Sequence, residues 1–318
     1  MLPPICEGYE KGESGTGPCI RYLKGGFCTL PMIFRCTEFI RNNEPTLSYS
    51  SMKDFVCPRK FYHSYIQGLE PVDKALPLLM GSVADSLLQM IHGENSTVDL
   101  PSFFSQFKNP VDEDEDFKPW LYAMWGLFQG YISKHYGDTK GSVQVPFEWF
   151  HPGYPRIRGF ADLVSSYEDH IAYEFKYTGR PDSYTKFSIS QQLGTYFLGI
   201  PQLQRITLRA IQVPQLKQSS KESGEQYRDR VYLDFCGRPG YYIHDSHYWR
   251  TEFDLEAIKE RARRITRTIH SFCNEGIAGF YQNIGPETCF AANGRCNYLS
   301  ICESGVISET IYRKREVK

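Results

Sequence analysis

The chain has no run of about 18 apolar residues, which excludes a membrane-spanning helix of ordinary length. Neither sign of charge is in excess. Lys and Arg number 36 against 37 Asp and Glu, a net charge of −1, so bulk charge does not signal a nucleic-acid partner and any basic footprint is local. The opening residues, Met1 to Gly8, lack the basic and apolar pattern of a signal peptide. The expected compartment is therefore the cytoplasm, with no membrane partner and with thiols kept reduced. Close C-x2-C pairs are also absent, which argues against a standard zinc ribbon.

What is present is a well-stocked core and many thiols. Of 318 residues, 41% are hydrophobic and 15% aromatic, enough for one large domain or two and against disorder. Ten cysteines in a reducing compartment point to metal sites before disulfides. Four of them, Cys6, Cys19, Cys28 and Cys36, lie in a Gly- and Pro-rich stretch spaced C-x12-C-x8-C-x7-C. Residues 1–45 are thus expected to form a separate small module. A structural zinc on the four thiols, free buried thiols and another cluster are the alternatives. Cys289, Cys296 and Cys302 close the chain as C-x6-C-x5-C, one short of a four-thiolate site for zinc or an iron–sulfur cluster.

The main body, residues 46–318, alternates helical and strand patterns. Helices are expected from Leu47 to Tyr62, interrupted at Pro58, with Ser51 and Asp54 as a capping box, and over Ala75–Gly93, Trp120–Tyr136, Ser183–Leu198 and Phe253–Asn274. Strands are expected over Val143–Phe150 and Gln204–Val213, a loop over Lys217–Arg230 and a returning strand over Arg228–Cys236. The acidic run Asp112 to Asp116 is expected to be a solvated loop or helix start. Lys259, Arg261, Arg263, Arg264 and Arg267 on the last helix fit either a phosphate track or a solvated face.

The organising stretch is Arg158 to Tyr177. Two segments of strand composition flank the polar break Ser165 to His170. Folding back near Glu168 sets Asp162 opposite Glu174 or Lys176 to within a residue, and Glu174 and Lys176 share a strand face. Two carboxylates and an ammonium gather there, among Phe160, Leu163, Val164, Tyr173 and Phe175, which are expected in the core. Paired carboxylates repel and one tends to protonate unless a cation joins them. The bland alternative is a surface hairpin with a solvated ion pair.

These motifs, in this order, resemble the PD-(D/E)xK nuclease superfamily, and more narrowly its RecB-like iron–sulfur exonucleases, including the CRISPR-adaptation exonucleases and the AddB nuclease domain. Ser48 to Tyr62, with Cys57-Pro58-Arg59, resembles the opening helix and first cluster cysteine. Gly159-x-x-Asp162, Glu174-Phe175-Lys176 and Gln192-x-x-x-Tyr196 resemble the catalytic motifs, and Cys289, Cys296 and Cys302 the terminal cluster.

The resemblance implies an α/β fold, a restriction-endonuclease-like mixed sheet flanked by helices with a helical insertion. It implies Mg²⁺ or Mn²⁺ on Asp162, Glu174 and the Phe175 carbonyl, with Lys176 as base or charge stabiliser and Gln192 and Tyr196 holding DNA or the lysine. It also implies a structural 4Fe–4S cluster on Cys57, Cys289, Cys296 and Cys302. The implied activity is DNA exonuclease action, preferring single-stranded ends, with a helicase or recombination partner. An endonuclease on the same site and a non-catalytic DNA-binding scaffold are the competing readings. The chain departs from the pattern in the long gap after Cys289, in its N-terminal cysteines, and in Asp85, which stands where Gly-x-x-x-His carries histidine. There an aspartate would add a third carboxylate ligand or point to solvent.

Overall fold

Alternating burial along the central segments builds a five-stranded sheet. In the computed structural model, which describes residues 46–72, 76–94, 98–107, 117–165, 171–184, 190–291 and 294–315, its order is β2-β3-β4-β5-β6. The strands are β2 (Gly141–Trp149), β3 (Ile157–Ser165), β4 (Ile171–Thr178), β5 (Arg205–Gln212) and β6 (Ile243–Trp249). β4 and β5 are parallel and the other neighbours antiparallel. Ile206 to Ile211 are all buried, as expected of a strand covered on both faces. β1 (Leu69–Pro71) pairs separately with β9 (Tyr312–Lys314), and β7 (Phe290–Ala291) with β8 (Gly294–Arg295).

Helices cover both faces. On one side α3 (Leu76–His92), α4 (Leu100–Ser105), α5 (Phe117–Ser133), α7 (Gly224–Gly237) and the short α8 (Pro239–Tyr242) enclose the largest apolar cluster, around Leu87, Met124, Phe128 and Phe235. α5 and α7 pack so closely that a Cβ at Gly126 would lie 2.2 Å from the Arg228 carbonyl oxygen. On the other side lie α1 (Tyr49–Asp54), α2 (Pro58–Phe61), α6 (Gln191–Gly199) and α9 (Leu255–Asn274). α9 presses Ile258 onto α6 at Gly194, where a Cβ would meet its Cδ1 at 2.0 Å. This is the expected α/β architecture of helices on a mixed sheet. No helix among the described residues is long and apolar enough to cross a membrane.

Several expectations need correction. The capping box of α1 is Ser48 with Ser51, each side chain bonding the other's backbone N–H, so Asp54 takes no part; it pairs with Lys60 at 2.7 Å. The expected helix from Ser183 begins only at Gln191, capped by Ser190, after a short 3₁₀ turn over Pro181–Tyr184. Arg228 to Cys236 is helical, inside α7, and the returning strand is β6. Tyr227, Val231 and Phe235 recur every fourth residue and are buried, a helical period, and Ser223 with Gln226 forms a capping box. Phe160, expected in the core, is 58% exposed. The expected cysteine module of residues 1–45, with Cys6, Cys19, Cys28 and Cys36, the acidic run 112–116 and the hairpin break 166–170 lie outside the described residues.

A buried polar chain braces the sheet against α3 and α5. Arg209 on β5 donates two hydrogen bonds to Asp245 on β6, at 2.8 and 2.7 Å, and one to Tyr131 Oη at 3.0 Å. Tyr131 donates to His92 Nε2 at 3.0 Å, and His92 Nδ1–H donates to the Thr139 carbonyl at 2.7 Å. Burial pushes the His92 imidazole down to about 4, and its ring stacks on Phe175, centroids 4.8 Å apart. Arg209→Met would leave the Asp245 carboxylate without its donors and the Tyr131 oxygen and the Tyr136 carbonyl each short of one. It is expected to lower unfolding stability by about 3 kcal/mol, read as a drop in the denaturant midpoint.

Candidate active site

The site forms where β3 parts from its neighbours. β3 pairs with β4 only through Leu163–Tyr173 and Val164–Ala172. Continued one step, that register sets Asp162 against Glu174, but the ladder has ended. The Asp162 side chain instead accepts the Phe175 N–H, Oδ2 to N 2.9 Å. On the other flank the β2–β3 ladder skips the Gln144–Asp162 pair, and Gln144 takes a left-handed φ of 48°, unusual for a side-chain-bearing residue. The two sides of Asp162 also enter different cores. Ala161 packs with Phe147 and α6, whereas Leu163 packs with α3 and α5. Asp162 is therefore held at a switch in the ribbon, its carboxylate turned toward β4. The gap left beside β3 is taken by Leu47, which bridges Ile157 and delivers the start of α1.

Glu174 is the most enclosed charge among the described residues, 1% exposed. Three donors converge on it. Lys176 Nζ and Gln192 Nε2 donate to Oε1, the latter at 2.7 Å, and Tyr196 Oη donates to Oε2 at 2.5 Å. Gln192 Nε2 also reaches Tyr196 Oη at 3.2 Å, so the two residues four apart on α6 act as one clamp. Thus Asp162, Glu174, Lys176, Gln192 and Tyr196 are brought together. Burial, and then the Glu174 charge, push the Asp162 carboxyl well above the usual range; Lys176 and the Phe175 N–H oppose this. Burial works to lower the Lys176 ammonium, but Glu174 and Asp162 overcome it and the net shift is upward. The Tyr196 phenol is raised, first by burial and then by Glu174.

Asp85 does not simply point away. It is half-buried on α3, accepts from Gln89 Nε2 at 2.9 Å, and its carboxyl is raised by burial and by Glu174. Its charge in turn raises Asp162. Three carboxylates therefore share one electrostatic neighbourhood with a single lysine, though among the described residues no three His, Cys, Asp or Glu side chains are closed into a metal-binding arrangement. The donors are hard oxygens, the kind Mg²⁺ and Mn²⁺ take, and the mutual repulsion is of the kind a divalent cation relieves.

The sequence reading missed Tyr49. Burial raises its phenol, and the charges of Lys176, Glu174 and Arg261 act on it, which sets the start of α1 and one arginine of α9 at the rim. Capping by Ser48 was the available signal. The other basic residues of α9 divide. Lys259 pairs with Glu256 at 2.6 Å, and Arg263 and Arg264 with Glu260 at 2.6 and 3.1 Å. Arg261 and Arg267 are exposed, without an ion pair among the described residues.

The cysteines form a second focus. Cys57 caps α2, and the strand of chain beside it is tied to the end of the protein. Arg59 donates to the Phe280 and Ile277 carbonyls at 2.6 and 3.1 Å, and Asn283 to the Val56 carbonyl at 3.0 Å. Cys57, Cys289, Cys296 and Cys302 are all half-buried free thiols. Burial pushes Cys296 and Cys302 up, and in each Cys57 and Cys289 add to it.

The model of the PD-(D/E)XK nuclease superfamily matches residues 46–303. No curated protein matches the chain. Among solved structures, a Eubacterium rectale protein described as a candidate exonuclease is 13% identical, with 85% of this chain and 91% of that one covered at a TM-score of 0.42. Another, designated SSO0001, is 13% identical, with 89% and 100% covered at a TM-score of 0.36.

Crowded carboxylates oppose folding in the absence of a cation. Asp162→Asn, which keeps an acceptor for the Phe175 N–H, is expected to stabilise the protein in EDTA by about 1 kcal/mol, measured as a raised unfolding midpoint; an unchanged or lowered midpoint contradicts the account.

Proposed function

The chain belongs to the PD-(D/E)XK nuclease superfamily, and from that premise we propose that it is a metal-dependent deoxyribonuclease of the RecB-like iron–sulfur branch, an exonuclease acting at single-stranded ends. Nuclease activity and the use of a divalent ion such as Mg²⁺ or Mn²⁺ come with the superfamily; exonuclease action, substrate form and branch are the proposal. The observation that carries it is the meeting of Asp162 with Glu174, Lys176, Gln192 and Tyr196 at the end of the β3–β4 ladder.

Asp162, Glu174 and the Phe175 carbonyl would hold the ion, with Asp85 as the third carboxylate in reach. When bound, the ion supplies Lewis-acid polarisation of the scissile phosphate and a lowered pKa for an attacking water. The chain's own groups do the rest. Gln192 and Tyr196 fix the Glu174 carboxylate so that it does not rotate away from Asp162. Lys176, already an ion-pair partner of Glu174, is placed to donate to phosphate oxygens as charge builds in the transition state. The burial of Glu174 and Tyr196 keeps bulk water from competing for these donors.

Cys57, Cys289, Cys296 and Cys302 are the thiolates proposed to hold a structural 4Fe–4S cluster. Cys289, Cys296 and Cys302, with Cys57 on a segment hydrogen-bonded to Ile277, Phe280 and Asn283 just before them, are four half-buried thiols of the donor type such a cluster takes. The segment already fastened to them by Arg59 and Asn283 is what a cluster would lock. Iron analysis of anaerobically purified protein is expected to give about four irons per chain; zinc alone at these cysteines would contradict it.

The function is tested by incubating protein with end-labelled linear DNA and with circular single-stranded DNA, with Mn²⁺ or with EDTA. Metal-dependent shortening from ends is expected, with circles left intact. Asp162→Ala, Glu174→Ala and Lys176→Ala should each lower the rate by at least about 100-fold. Cuts in circles would make it an endonuclease, and binding without cleavage a scaffold.

A further inference from the structure

Phe160 is an aromatic ring in the interior of a strand with 58% of its surface exposed. Burial alternates along β3: Ile157 and Ala161 are buried and Gly159 is half-buried, while Arg158 and Phe160 are exposed. The inward set is fixed by Phe147, paired with Gly159 and packed edge-on against Tyr196 of α6 at 5.4 Å. The outward set of the ribbon therefore faces away from α6. Across the ladder it is continued by Pro146 opposite Phe160 and Glu148 opposite Arg158, both exposed, and at the end of β2 by Phe150, 49% exposed. Glu148 is committed to Arg156 at 3.2 Å, and Arg156 stands over the Phe150 ring at 5.2 Å. The Arg158 side chain has no hydrogen bond or ion pair among the described residues.

This face is too broken to be an apolar docking patch. It presents two rings with a guanidinium between them, and it ends at Asp162. At about 3.3 Å of rise per residue, Phe160 stands about 7 Å from Asp162 along β3 and Arg158 about 13 Å. We propose that the exposed face of the β2–β3 ribbon is a binding track for single-stranded DNA, in which Phe160 stacks on a base next to the reacting phosphate, Arg158 holds a backbone phosphate and Phe150 takes a second base. The proposal rests on the nuclease reading of Asp162 and Glu174 and deepens it. The chemistry is that of a polymer in which flat faces alternate with anions. A duplex stacks its bases on one another and offers no free face to an isolated ring, so the track selects single strands. It also explains why a phenylalanine is left in water two residues from the centre of the site.

The test is fluorescence anisotropy of the full-length protein with a labelled oligothymidylate and with a blunt duplex of equal length, in EDTA so that nothing is cut. Phe160→Ala is expected to weaken single-strand binding about tenfold and to leave duplex binding as in the wild type. Phe160→Trp should restore it. Arg158→Gln should weaken binding severalfold and reduce the salt slope by about one charge. An unchanged thermal midpoint shows that the exposed ring was not holding the fold. Equal single-strand affinity of wild type and Phe160→Ala overturns the track. So does an equal loss on duplex, or absence of oligothymidylate binding by the wild type. Mn²⁺-dependent cleavage is scored separately. Cleavage by the wild type with Phe160-independent binding removes the track alone, and Phe160-dependent binding without any wild-type cleavage removes the nuclease reading alone.

Discussion

Glu174 is a carboxylate sealed into the protein, and its solvation has to come from side chains. Lys176, Gln192 and Tyr196 provide it. Without them a buried charge of this kind would cost several kcal/mol. The requirement dictates the neighbourhood: α6 must cross the sheet with Gln192 and Tyr196 facing β4, which is why Gly194 yields to Ile258 of α9 and Gly199 to Phe147. The packing of the second helical layer and the charge state of the site are thus one constraint.

Asp162 is placed by a different device. A regular ribbon would keep Ala161 and Leu163 in one core. Here they go to two, and the residue between them, freed from both ladders, is aimed by the Phe175 N–H. The left-handed Gln144 lies opposite this break. Backbone strain at such a point is tolerated where surrounding structure over-determines it, and here the helical layers on both faces do so. Behind Phe175, the chain from Asp245 through Arg209 and Tyr131 to His92 stiffens the strand that carries Glu174 and Lys176.

Much of this was legible in the sequence. The hairpin and the approach of Asp162 to Glu174 or Lys176 follow from strand periodicity, and β5 from the strand pattern of Ile206, Leu208 and Ile211; the spacing of Gln192 and Tyr196 alone fits an ordinary helix surface, and their place in the site came from the family resemblance. Other features were hidden for physical reasons. α7 carries a polar sequence in which the buried Tyr227, Val231 and Phe235 make a stripe too sparse to stand out from a short strand pattern over Arg228–Cys236. Phe160 sits in an apolar segment whose outward face cannot be told from its inward one by alternation alone. Only the seating of Phe147 against α6 decides it. The position of Tyr49 at the rim depends on Leu47 bridging Ile157 beside β3, a long-range contact that no local pattern encodes.

The central claim is that Glu174 and Asp162 are held together to bind a divalent cation. Calorimetric titration of Mn²⁺ into protein stripped with EDTA and without DNA tests it most directly. The account predicts binding in the wild type that Glu174→Gln loses, while Glu148→Gln, an exposed carboxylate on the neighbouring ribbon, retains it. Identical Mn²⁺ binding by the wild type and by Glu174→Gln would contradict it.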